Sequence, residues 1–439
     1  MILDSALYGP LLGDAEIADL FSPETEIAVM IRVERALARA QAAIGMIPAE
    51  AAEAIDAGLQ SVVIAPEAIA EGTAKAGVPV PPLVVALRAE LPDSAAHWLH
   101  WGATTQDIMD CALVLRLQEA LSVLARRLDG SIDALVGLAE AHVDTPMAGR
   151  TRTQIATPIS FGLRAAYWLQ GLVEIRETLS TLQNEHRKVQ FGGASGANSA
   201  VAPHGTAIIQ ALAAELNLRP APPWHTNRAM IPAAVNWCAT ASGVAGRIAA
   251  DVLILARREV AELRLSGGGG SSTMPNKANP VSAEVTAALA RYAATLVVPA
   301  NLAMAHAEDR DSTAWMLEWL ALPQAMVCAG STLRNLRVTL DSLTPDPEAM
   351  ARNLALDGEA ALAEAASFAL AEHMPRAEAQ TTVKQAAMLA RETGRSMLEV
   401  LSDETGIPDL RQAVETLARQ GSGQEFVTKI VSRARLLRE

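Results

Sequence analysis

Residues 264–280 read RLSGGGGSSTMPNKANP. By composition alone the Gly267–Ser271 portion, GGGGS, is a flexible spacer. The residues after it argue otherwise. Pro275 and Pro280 stiffen the continuation, while Lys277 and Asn279 bring a cation and an amide close together. A small-residue hinge feeding a rigid, cationic turn predicts a lid that closes on an anion. In such a lid Ser271 supplies a nucleophile or base, Lys277 a charge partner and Asn279 a hydrogen-bond donor. Without ligand the lid is expected to be mobile.

Outward from this stretch, apolar residues recur at spacings of three and four, and the strand signal is weak throughout. Long helices are predicted over roughly 112–142, 158–189, 229–265, 282–307 and 315–340, each with one continuous apolar stripe. The lid therefore joins two bundle helices rather than two domains. Shorter helices broken by Pro48, Pro66 and Pro82 precede the bundle. Others, punctuated by Pro375, Gly394 and Pro408, come after it. The expected fold class is all-α in three helical domains: 1–110, the long-helix bundle 111–345, and 346–439. Wide apolar faces on long helices are often buried between subunits, so an oligomer is expected.

Composition agrees. Of 439 residues half are hydrophobic, yet only 3% are aromatic; Ala and Leu dominate and favour helix. The net charge of −13 excludes a general nucleic-acid binder and requires any anion site to gather its cations locally. Cys111, Cys238 and Cys328 lie in apolar runs without a metal-ligand spacing, which predicts buried thiols in a reducing compartment and no metal site. The N-terminal stretch is acidic rather than a basic-then-apolar leader, and no uncharged apolar run reaches membrane-spanning length. A cytoplasmic protein without membrane or nucleic-acid partners is expected.

Four further segments stand out. HWGATTQDIMD (100–110) reads as a helix start, capped by Thr104 or Thr105 with Asp107 in the first turn. AGRTRTQIATPISFG (148–162) reads as a loop before a Pro-started helix, with Arg150 and Arg152 solvated. PWHTNRAM holds Arg228, whose guanidinium suits a carboxylate, beside a His225 that packing alone would explain. HAEDRDSTAWMLEWLALP (306–323) reads as a charged helix end in which Trp315 and Trp319 suit bundle packing.

GSSTMPNKANP resembles the signature loop of the fumarase/aspartase superfamily, GSSxMPxKxNP: Gly270, Ser271, Ser272, Met274, Pro275, Lys277, Asn279 and Pro280 match. The resemblance implies that Ser271 is the catalytic base, that Lys277 and Asn279 bind substrate carboxylate, and that Glu284 supports the site. His100, Gly102, Thr104 and Asp107 match the family's H-x-G-x-T-S-x-D segment, with Thr105 for Ser. That implies a carboxylate subsite at His100, Thr104, Thr105 and Gln106. Thr151, Gln154, Ala156 and Pro158 match T-H-x-Q-x-A-x-P, with Arg152 in place of the His. Trp224, His225, Thr226 and Arg228 are similar to the W-H-T-x-R element of the cycloisomerase branch. Arg310, Trp315, Glu318, Trp319, Leu322 and Pro323 resemble the R-x4-W-x2-E-W-x2-L-P of bacterial 3-carboxy-cis,cis-muconate cycloisomerases.

The family implies an all-helical homotetramer with active sites shared between subunits, a small polycarboxylate substrate, and cofactor-free addition or elimination beside a carboxylate. Arg228 and Arg310 are expected to meet substrate. Either Ser271 or Lys277 is the proton donor in the lactonising direction. Arg152 stands where cycloisomerases carry an aromatic residue. It leaves open a lyase acting on another substituted succinate, of the adenylosuccinate or argininosuccinate kind. A non-catalytic structural relative would have no need of Ser271, Lys277 and Asn279.

Overall fold

The computed structural model describes residues 2–266, 269–270, 278–356, 359–419 and 421–437. The expected roles of Ser271 and Lys277, and the expected mobility of the lid, lie outside these residues. Helices dominate, as the all-α reading expects. The elements that position the site are helices α1 (Pro23–Ala43), α2 (Thr105–Ala141), α3 (Phe161–His186), α4 (Met230–Leu255), α5 (Val281–Thr295) and α6 (Ser312–Ser342).

Each begins or packs for a local reason. Ser22 caps α1 through its side chain, which accepts from the Thr25 N–H, and Pro23 occupies the first turn where its missing N–H costs nothing. In α2, Leu117, Leu121, Leu124, Leu128, Ile132, Leu135 and Ala139 are buried and recur every three or four residues, a stripe that only helix-on-helix packing covers. Helix α4 and the stretch Val281–Leu302 are long and apolar enough to span a bilayer by composition. In α4 this reflects core packing, because Ile231, Val235, Cys238, Ala241, Ala245, Ile248 and Val252 are buried against protein.

Three expectations about elements are corrected. The segment read as a loop before a Pro-started helix is an antiparallel hairpin, β1 (Pro146–Thr151) with β2 (Gln154–Ser160), and α3 starts only at Phe161. Its two-residue turn puts Arg152 at φ +49 and Thr153 at φ +70, as a type I′ connection requires. The helix expected over 229–265 ends at Leu255. Beyond it β3 (Leu263–Leu265) pairs with a strand at Leu343–Pro345, so backbone pairing replaces the last helical turns. The helix expected over 282–307 is interrupted after Thr295 and resumes as Val297–Leu302; Pro299, with no N–H to give, lies in the second piece.

Within the lid stretch, strands Gly269–Gly270 and Ala278–Asn279, which follow α4 and precede α5 in the chain, pair antiparallel with Gly269 opposite Asn279.

Contacts group the chain into two units. One comprises Met1–Arg127, Ile175–Gly243 and Ala288–Arg334; the other Leu128–Glu174, Val244–Ala287 and Asn335–Glu439. The second unit holds a separate C-terminal core in which Leu370, Val383, Ala386, Met397, Leu401 and Val414 are buried together.

Candidate active site

Most of the candidate residues fall in the first unit, around the start of α2. The Thr104 N–H donates to Asp107 Oδ2 (3.0 Å), so Asp107 reaches back to cap its own helix. Asp107 also accepts from the N–H groups of Gly192 (2.8 Å) and Gly193 (3.0 Å) and from His225 Nε2 (3.0 Å). One buried carboxylate thus fastens the helix start, the glycine turn and the Trp-His-Thr turn. Gly102 completes the junction. It sits at φ +68, and a Cβ there would lie 2.1 Å from Val201 Cγ1.

Gln106 and Arg310 meet, although 204 residues separate them: the guanidinium Nε donates to Gln106 Oε1 at 2.9 Å. Gln106 is wholly buried and donates its amide to the His225 carbonyl (2.9 Å), which leaves its oxygen for the arginine. Arg310 Nη2 donates to the Ala194 carbonyl (3.2 Å), and Nη1 has no hydrogen-bond partner among the described residues. The guanidinium is oriented on one edge and open on the other, as a carboxylate receptor must be.

His100 is held at φ +64 with Nδ1 2.6 Å from Glu34 Oε1. Burial works against its charge. Glu34, and to a lesser degree Asp107, overcome this and raise its pKa above the usual imidazole value.

Arg228 departs from its expected role. It is 1% exposed, and its fork is filled by two protein carboxylates: Asp110 at 2.6 and 3.0 Å, and Glu318 at 2.9 and 2.5 Å. It also lies over the Trp224 ring at 4.7 Å. Burial opposes its charge, and Asp110 followed by Glu318 more than compensates, so its pKa rises. Glu318 is itself raised by burial despite Arg228. The His306 ring lies 3.7 Å from Glu318, with neither nitrogen hydrogen-bonded among the described residues; burial, then Arg228, lower its pKa. A guanidinium so enclosed ties α2 to α6 and spends four of its five N–H donors on those two carboxylates. Trp315 and Trp319 pack edge to face with centroids 5.0 Å apart, in line with the bundle reading.

The other candidates belong to the second unit. Thr151, Arg152 and Gln154 are exposed at the hairpin turn. Arg150, expected to be solvated, instead grips the buried Glu262 at 2.9 and 2.5 Å, and Glu262 accepts from Asn353. Asn279 is half-buried on its short strand, and Glu284 is exposed in the first turn of α5.

Sequence reasoning assigns no role to Glu34, Asp110, Gln190 or Glu318. Gln190 links Asp110 (3.3 Å) to the Trp224 N–H (2.9 Å). The one available signal is a polar residue in an apolar stripe: Glu34 and Gln41 share a helix face with Met30 and Leu37.

A long-helix bundle carrying an oriented guanidinium, a carboxylate-paired imidazole and a helix N-terminus in one unit is the architecture of an all-helical lyase for small carboxylates. Comparison with known proteins agrees. The family profile described as "Lyase" matches residues 18–294. The chain belongs to that family, within the fumarase/aspartase superfamily. It is 34% identical to a 3-carboxy-cis,cis-muconate cycloisomerase of Bradyrhizobium diazoefficiens, over 97% of this chain and 98% of that one. It is 35% identical to a nitrosuccinate lyase of Streptomyces davaonensis, over 91% and 88%. Among solved structures, the 3-carboxy-cis,cis-muconate lactonizing enzyme of Pseudomonas putida superposes with a TM-score of 0.93 at 32% identity, covering 99% of this chain and 100% of that one.

Proposed function

We propose that the protein is a 3-carboxy-cis,cis-muconate cycloisomerase, acting in the cytoplasm on a step of aromatic-compound catabolism. What supports the substrate is near full-length similarity to enzymes of that name. The observation that carries the chemistry is Arg310, oriented by Gln106 and open on one edge. Three free, buried cysteines suit a reducing compartment.

In this reading one carboxylate of the substrate adds to its own double bond. Negative charge develops on the neighbouring carboxylate, and the carbon beside it takes a proton. Arg310, Asn279, Lys277, the helix start at Thr104–Thr105 and His100 stabilise that charge. Ser271 is the base in the elimination direction and the acid in lactonisation, with Lys277 as charge partner. One C–O and one C–H bond form as the C=C π bond is consumed, with no net change of oxidation state, so the reading calls for no redox cofactor. Arg228 is reassigned from substrate ligand to internal brace. Thr151, Arg152 and Gln154 are exposed at the hairpin turn, which suits a homotetramer whose sites are shared between subunits.

A second reading, a lyase on another substituted succinate, is favoured by Arg152 and by the nitrosuccinate lyase relative. An ultraviolet absorbance panel of 3-carboxymuconate, nitrosuccinate, adenylosuccinate, argininosuccinate and fumarate separates the two. Turnover of carboxymuconate foremost is expected; its absence rejects the primary reading. Ser271→Ala is expected to lower turnover by about 10²–10⁴-fold with the oligomer intact. Near-normal turnover would remove Ser271 from the chemistry.

A further inference from the structure

Glu34 lies midway along α1 on its buried face, with Met30, Leu37 and Gln41. A carboxylate in that stripe is unfavourable unless something holds it, and packing alone would place Leu or Ala there. Its Oε1 has one partner, His100 Nδ1 at 2.6 Å. Its Oε2 has none among the described residues. The Glu34 side chain is 0% exposed and that of His100 18%, so the pair has a closed end and an open end. His100 also sits at φ +64, a conformation that a non-glycine residue keeps only when its surroundings impose it. Its Nε2 makes no hydrogen bond to any described residue.

We propose that Glu34 is a positioning residue for substrate binding: it fixes the His100 ring with Nδ1 inward, so that Nε2–H is presented to a substrate carboxylate. The proposal rests on the reading that this site takes a polycarboxylate. A neutral imidazole carries one N–H, and Glu34 claims it. Nε2 therefore donates only when the ring is charged. Burial opposes that charge; Glu34 and Asp107 favour it, and Arg88 opposes it. The charge is present below the pKa of His100 and lost as pH rises through it. Affinity for an anionic substrate therefore falls across that limb, and Glu34 sets where the limb lies.

Glu34→Gln keeps the shape and removes the charge. It is expected to raise KM about tenfold near neutral pH, the scale of one charge-assisted hydrogen bond, with kcat little changed. It should also move the alkaline limb of the 1/KM profile to lower pH. His100→Gln should raise KM comparably and abolish the limb. The double variant should be no worse than His100→Gln, because Glu34 acts only through the ring. An unmoved limb in Glu34→Gln, or additive losses in the double variant, overturns the proposal. NMR titration of the His100 Cε1–H in the full-length protein keeps the test independent of substrate. A lower His100 pKa in Glu34→Gln supports the pair, and an unchanged one rejects it. Failure of the wild-type protein to turn over carboxymuconate would remove the proposed activity and leave this titration decisive.

Discussion

Arg228 shows how residue type and residue role part company. A guanidinium beside Trp-His-Thr in a family of polycarboxylate enzymes reads as a substrate ligand. In the fold its donors go to Asp110 and Glu318. Those acids come from segments 118 and 90 residues away in sequence, so nothing near Arg228 announces them. Replacing it with Met leaves two buried carboxylates uncompensated, at a cost of about 3–5 kcal/mol. Urea unfolding should show a midpoint well below wild type, and an unchanged midpoint would refute the brace. Gln106 and Arg310 are the converse case: both are legible by type, and the structure adds that one orients the other. Glu34 is legible only as an anomaly, a charge in an apolar stripe.

At the scale of elements, the long helices are readable because their stripes repeat over many turns. In α2 seven buried positions agree on one face. The hairpin is not readable. Its turn residues, Arg152 and Thr153, lack the Gly or Asn that normally marks positive φ, so the local signal points to a loop. Three-residue strands that pair across the chain, such as Leu263–Leu265 with Leu343–Pro345, carry no periodicity to detect. The unusual turn argues for a role for its tip, since a β-branched residue at φ +70 is strained. Arg152→Trp, which restores the aromatic residue of typical cycloisomerases, is expected to shift relative kcat/KM among the panel substrates toward carboxymuconate. Identical preference ratios would make Arg152 incidental.

For the whole molecule, the apolar residues left exposed on the long helices matter most. Tyr292, Val298, Leu302, Met316 and Leu320 lie uncovered on α5, α6 and the short helix between them. In the proposed tetramer such faces are buried, and hairpin and lid residues complete sites on neighbouring subunits. Mixing two inactive variants tests this. Ser271→Ala and Gln106→Ala, dissociated and reassembled together, should recover activity that neither has alone, because some sites then receive both intact residues. No recovery in mixed tetramers would place each site within a single chain.

The sequence by itself determined the superfamily, the helical class and the residue types of the lid. Each is written in a contiguous motif or in a repeat with a fixed period. Tertiary structure alone decided which charges face each other and which keep a free edge. Asp107 became a clasp for three segments, Arg228 a brace between helices, and Glu34 the partner of His100. Those assignments depend on distances between residues remote in sequence. A buried charge is tolerated only where such a partner meets it, so its meaning exists only in the folded chain.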